Sequence, residues 1–163
     1  MPANALPSVI AVAAVDPGRT TGVARGIFEP QDTLLETLAT GFQVETWQTD
    51  GPLRGQAEEI VGELDDWFSM AHMEHSIAIC DLHFVIENFI LRTAHADLSP
   101  VKLTERIEAG WHSDWLPIQR QQPSHAKSFA TDARLRAWEQ WVVGDHRRDA
   151  WRHVLLCVHR ILG

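Results

Sequence analysis

The chain has 163 residues, of which 45% are hydrophobic and 22% charged, with a formal net charge of −8. These values fit one globular domain able to bury a core without disulfides and exclude a disordered or low-complexity chain. The negative charge argues against indiscriminate binding to a polyanion, because phosphate contacts supply most nonspecific affinity for nucleic acid. Charge is unevenly placed: residues 1–98 hold 4 Lys/Arg against 15 Asp/Glu, whereas residues 99–163 hold 10 against 7. Basic character is therefore confined to the C-terminal part.

In chain order, residues 1–7 read as a flexible tail and 8–163 as a single domain. The nearly continuous apolar run over 9–15, stopped by Pro17-Gly18, predicts a central strand buried on both faces. It is too short, and lacks the basic leader, for a signal peptide or membrane span, which places the protein in the cytoplasm. A turn over 16–21 feeds a second strand at 22–28. Residues 42–48 alternate Phe42, Val44, Thr46 against Gln43, Glu45, Trp47 and predict a third.

From Pro52 the apolar positions Leu53, Ala57, Ile60, Val61, Leu64, Trp67 and Phe68 form a helical stripe, with acidic residues opposite. A strand is expected over 82–91, a helix opening at Ser99-Pro100 and continuing over 101–111, and a strand over 115–121. Ser124 is placed as the cap of a helix over roughly 125–141, and Asp145 as the cap of a last helix reaching 162. Cys80 and Cys157 sit in apolar surroundings that suit core packing better than pairing, consistent with a reducing compartment. Trp67, Trp138, Trp141 and Trp151 fall where core or dimer packing accounts for them. Strands in a meander, then alternating with helices, predict an α/β fold: a mixed sheet with helices on its faces.

Three segments carry candidate chemistry. Asp16 closes the first strand at a sharp turn, where it either presents a carboxylate at a sheet end or simply caps the turn. Glu87 lies in an otherwise apolar strand, so a basic partner, a proton or a metal ion should compensate it; a strand open to solvent on one side is the alternative. In Asp145-His146-Arg147-Arg148-Asp149, His146 with Asp149, or Asp145 with Asp149, share one helical face; an acidic helix start favourable to the dipole is the alternative. Jointly these hard oxygen donors suit Mg²⁺ or Mn²⁺, and two such ions can hydrolyse a phosphodiester.

Val15-Asp16-Pro17-Gly18-Arg19-Thr20-Thr21-Gly22 resembles the first motif of RuvC-like resolvases, Phe84-Val85-Ile86-Glu87 their second acidic strand, and His146-Arg147-Arg148-Asp149 their terminal His-x-x-Asp or Asp-x-x-Asp pair. The resemblance covers about residues 9–162 and is to the phage branch in size and motif wording. It implies an RNase H-like fold with a five-stranded mixed sheet, its first three strands antiparallel. It further implies a homodimeric endonuclease that cuts branched DNA such as Holliday junctions, Y-junctions and replication forks, leaving a 5′-phosphate and a 3′-hydroxyl. Asp16, Glu87, Asp149 and His146, in preference to Asp145, are then the ligands of two ions.

The DNA-facing set implied is Lys102, Arg106, Arg120, Lys127, Arg134, Arg147 and Arg148, with Arg19 of the first motif and the aromatic Phe89. The wedge position of bacterial relatives holds Ile90, one residue after Phe89, and their glycine-rich segment before the lysine is absent. Another substrate (flap, single strand, RNA–DNA hybrid) or a catalytically idle DNA-binding module of the same fold are the alternatives. An actin-like or sugar-kinase-like ATPase also uses an Asp-x-Gly-x-Thr turn but needs two such domains around its nucleotide, so no nucleotide cofactor is expected.

Overall fold

A computed structural model describes residues 6–89, 93, 96–112 and 114–163. The expected tail up to residue 5, Ile90 and the end of the expected strand over 82–91 lie outside them. The apolar run forms β1 (Ile10–Asp16), whose seven residues are all buried. The Asp-Pro-Gly turn returns the chain as β2 (Thr21–Phe28), antiparallel to β1, and β3 (Phe42–Thr49) pairs antiparallel with β2. On the other side of β1 lie β4 (Leu82–Glu87) and β5 (Ile118–Gln121), each parallel to its neighbour. The result is the expected five-stranded mixed sheet, in the order β3-β2-β1-β4-β5.

The helices are α1 (Leu34–Ala39), α2 (Leu53–Glu74), α3 (Ser99–Gly110), α4 (Pro123–Phe129), α5 (Asp132–Ala137) and α6 (Asp145–Leu162). Because side chains alternate across a strand, β1 supplies both cores. Ala11, Ala13 and Val15 pack with Phe84 and Ile86 under the α2 stripe Ala57, Ile60, Leu64, Trp67 and Phe68 and under Leu103 and Ile107 of α3. Ile10, Val12 and Ala14, with Val85, pack under Ala150, Trp151, Val154 and Leu155 of α6, joined by Leu38 of α1 and Leu135 of α5. Covering both faces is what permits a strand with no polar side. Among the described residues no helix is long and apolar enough to cross a membrane.

Four local expectations are corrected. The segment between β2 and β3 contains α1, capped by Thr33: its hydroxyl oxygen accepts from the Glu36 amide at 3.2 Å and donates to the Glu36 carboxylate at 2.7 Å. In β3 an extra residue intervenes where Arg25 faces Glu45 but Ile27 faces Phe42, and Gln43 takes a φ of 51°. This bulge resets the alternation, so that Phe42 joins Trp47 against the core while Val44 is exposed. The single helix expected over 125–141 is two helices, because Ala130 directs its carbonyl to the Arg152 guanidinium at 2.9 Å and Thr131 caps α5. Cys80 is exposed within a short 3₁₀ turn (Ile79–Asp81), while Cys157 is buried, its thiol pushed up to about 12 by burial.

Candidate active site

Val15 stands opposite Ile86 in the parallel β1–β4 pair, and Asp16 and Glu87 each close their strand one residue further on. They are therefore neighbours at one sheet end. Asp16 continues the set Ile10, Val12, Ala14 that faces α6, and Glu87 lies two residues beyond Val85 on the same face. The start of α6 crosses this end of the sheet and brings His146, Asp149 and His153, at helical spacings of three and four, to that face.

The close approach depends on Gly22, the residue opposite Asp16 in β2. A Cβ there would lie 1.9 Å from the His146 carbonyl oxygen and 2.8 Å from the Arg147 nitrogen. The turn leading to it is clamped from α2 by Gln56, which is 1% exposed. Its amide oxygen accepts from the Thr21 hydroxyl at 2.7 Å, and its amide nitrogen donates to the Arg19 and Gly51 carbonyls at 2.7 and 2.8 Å. Gln56→Leu removes the donor to the Arg19 and Gly51 carbonyls and leaves the Thr21 hydroxyl only the Gly18 carbonyl at 3.2 Å, and it is expected to lower the unfolding free energy by about 2–4 kcal/mol. A urea titration reads this as a lower midpoint, and an unchanged midpoint contradicts the clamp.

Each acid has protein partners. His146 Nδ1 lies 3.0 Å from Asp16 Oδ2, and His153 Nε2 lies 3.0 Å from Glu87 Oε2. Asp149 is held on one oxygen by Lys127 Nζ at 2.9 Å and on the other by Arg152, which also pairs with Asp132. The charges are mutually felt. Burial pushes Asp16 up to about 6; the His146 hydrogen bond opposes this, and the negative charges of Glu87 and Asp149 add to it. Burial disfavours the Lys127 ammonium, but its bond to Asp149 and the fields of Asp149, Glu87 and Asp16 outweigh this and leave it raised. The hydrogen bond to Asp16 chiefly raises His146, against its burial, with Asp149 and Asp145 contributing.

The remaining expected residues are dispersed. Asp145 is 86% exposed in its side chain and pairs with Arg148 instead of turning to the acids. Arg148 is itself drawn inward: it donates to the Val142 carbonyl at 3.3 Å and its guanidinium lies 4.4 Å over the Trp141 ring. Arg120 is held by both Glu108 oxygens at 2.7 and 2.8 Å. Phe89 is half-buried beside Val101, Thr104 and Arg120, and Arg147 is half-buried with its Nε unpartnered. Arg19 is exposed and pairs with Asp97 at 3.1 Å, while Lys102, Arg106 and Arg134 are exposed. Sequence reading missed Gln56, Gln121, Arg152 and His153; the visible signal was a histidine seven residues after His146 on the same helical face, next to the apolar run Val154-Leu155-Leu156-Cys157-Val158.

No family model and no curated protein matches the sequence. Among solved structures, Thermus thermophilus RuvC in complex with a Holliday junction substrate is similar with a TM-score of 0.59 at 14% identity, over 93% of each chain. The chain has the RuvC fold. A further T. thermophilus RuvC structure gives a TM-score of 0.59 at 14% identity, covering 93% of this chain and 94% of that one.

Within this RuvC fold, the acids can be tested against the metal expected of them. Among the described residues no three His, Cys, Asp or Glu side chains stand close enough to hold one metal ion together. Their oxygens are turned to His146, His153, Lys127 and Arg152. The donor chemistry nevertheless fits: burial, with the negative charges of Glu87 and Asp149 adding to it, raises Asp16 where three carboxylates meet at one sheet end, and a hard divalent cation would offset that gathered charge. Asp16, Glu87 and Asp149 are the residues that would hold it, with His146 adjoining.

Proposed function

We propose that the chain is a divalent-metal-dependent endonuclease acting on branched DNA. The observation that carries this reading is the meeting of Asp16, Glu87 and Asp149 at one end of a RuvC-like sheet, under a common electrostatic field shared with Lys127. When bound, Mg²⁺ or Mn²⁺ supplies an activated water and charge stabilisation for the departing 3′-oxygen. The chain's own contributions are distinct. Buried β1 and β4 fix two carboxylates by their backbones, and Arg152 holds Asp149 from the far side. Lys127, which holds Asp149 at 2.9 Å, would be free to pair with a phosphate if the acids held a metal ion.

Exposed Lys102 and Arg106 supply further phosphate contacts, joined by Arg19 and Arg134 when these leave Asp97 and the Phe129 carbonyl, and so small a set of exposed cations favours a bent, branched backbone over indiscriminate duplex binding. One chain carries one set of acids, so resolving a junction into two duplexes calls for a homodimer. The similar T. thermophilus RuvC bound to a Holliday junction supports that substrate class.

The test is incubation with labelled four-way junction, Y-junction, flap, linear duplex and RNA–DNA hybrid, with Mg²⁺, Mn²⁺ or chelator. Metal-dependent cutting of the branched substrates is expected, lost in Glu87→Gln and Asp149→Asn while binding survives. Equal cutting of linear duplex contradicts structure selectivity, and activity persisting in Glu87→Gln contradicts the site.

A further inference from the structure

We propose that His153, backed by Gln121, is a positioning residue for Glu87; this rests on the metal-nuclease reading of the acids. His153 is 1% exposed and sits on α6 among apolar residues of the core. An aliphatic side chain would fill such a place without burying two polar ring nitrogens, each of which needs a partner. Each faces an oxygen at the sheet end: Nε2 lies 3.0 Å from Glu87 Oε2 and Nδ1 2.9 Å from Gln121 Oε1.

The support is itself fixed. Gln121 is 4% exposed, stands directly opposite Glu87 in the β4–β5 pair, and accepts from the Asn88 amide at 2.7 Å through its carbonyl. The short edge strand β5 therefore links the residue after Glu87 to the side chain that orients the imidazole. Glu87 needs this more than the other acids. It has one more rotatable bond than Asp16 or Asp149, and a freely rotating carboxylate must lose that freedom whenever it binds a cation. Tying its oxygen to a buried ring removes the loss beforehand, which is how outer residues commonly orient a ligand.

Glutamine and asparagine separate the two ring contacts. His153→Gln carries an amide nitrogen to the place of Nε2 and keeps the Glu87 contact; His153→Asn mimics Nδ1 and keeps only the Gln121 contact. The readouts are Mn²⁺ affinity by calorimetry, junction cleavage, and melting temperature. Expected are Mn²⁺ affinity within about 5-fold of wild type for His153→Gln, and a loss of about 10–100-fold for His153→Asn and His153→Phe. In a Glu87→Gln background, His153→Phe should weaken Mn²⁺ binding no further.

Gln121→Leu, which leaves α6 intact, is expected to weaken Mn²⁺ binding about 3–10-fold and serves if His153→Phe does not fold. Equal losses for glutamine and asparagine, or wild-type affinity in both His153→Phe and Gln121→Leu, overturn the proposal. Wild-type protein that neither binds Mn²⁺ nor cuts any substrate overturns the underlying site instead, and is told apart by the wild-type measurement alone.

Discussion

Asp16→Asn is expected to abolish cleavage while making the metal-free protein more stable at neutral pH. Burial, reinforced by Glu87 and Asp149, holds this carboxyl up at about 6 against an ordinary 3.8. Between those values the folded chain binds the proton more tightly than the unfolded chain, so stability falls as pH rises through that window and stays lowered above it. The penalty is about 3 kcal/mol at pH 7. An asparagine carries no charge to desolvate and can still meet His146. Melting temperature should therefore rise by about 6–12 °C at pH 7 and by little at pH 4. Mn²⁺ should stabilise the wild type but not the variant, and its hold on the wild type should weaken from pH 7.5 to 5 as Asp16 takes up its proton. A variant less stable than wild type at pH 7, or equally stabilised by Mn²⁺, contradicts this account of Asp16.

Gly22→Ala is expected to remove activity by moving the helix that carries the third acid. The new methyl group would meet the His146 carbonyl oxygen at 1.9 Å and its carbon at 2.2 Å, both backbone atoms that no side-chain rotation can clear. Either the start of α6 lifts off β2 or the strand shifts, at a cost of about 3 kcal/mol or more. Cleavage should fall below detection, and chemical denaturation should show the lost stability. Gly62→Ala is the contrast: Gly62 lies within α2 with nothing within 4 Å of a Cβ, so alanine there should stabilise by about 0.5–1 kcal/mol with cleavage unchanged. Unaltered cleavage in Gly22→Ala contradicts the requirement for this close approach.

The layers of the fold were legible because their signals are local. A seven-residue apolar run stopped by Pro17-Gly18 fits a strand covered on both faces, and the stripe from Leu53 to Phe68 fits an amphipathic helix. Asp16 and Glu87 stood out for the same reason, the first as a charge closing an apolar run and the second as a charge inside one. What escaped is set by partners distant in sequence. The break between α4 and α5 is held by Arg152 from α6, and the β3 bulge follows from its pairing with β2. Arg148 counted as a cation for DNA until its pairing with Asp145 and stacking on Trp141 were seen. Neither the Gln56 clamp nor the His153–Gln121 support has a short motif, because each joins elements that only the sheet topology brings together.

The central claim is that Asp16, Glu87 and Asp149 share divalent cations. Its most direct test is an anomalous difference map from crystals soaked in Mn²⁺. The account predicts a peak bonded to oxygens of all three acids, with Lys127 Nζ displaced from Asp149. Peaks confined to other surfaces, or an Asp149 still paired with Lys127 at saturating Mn²⁺, would contradict it.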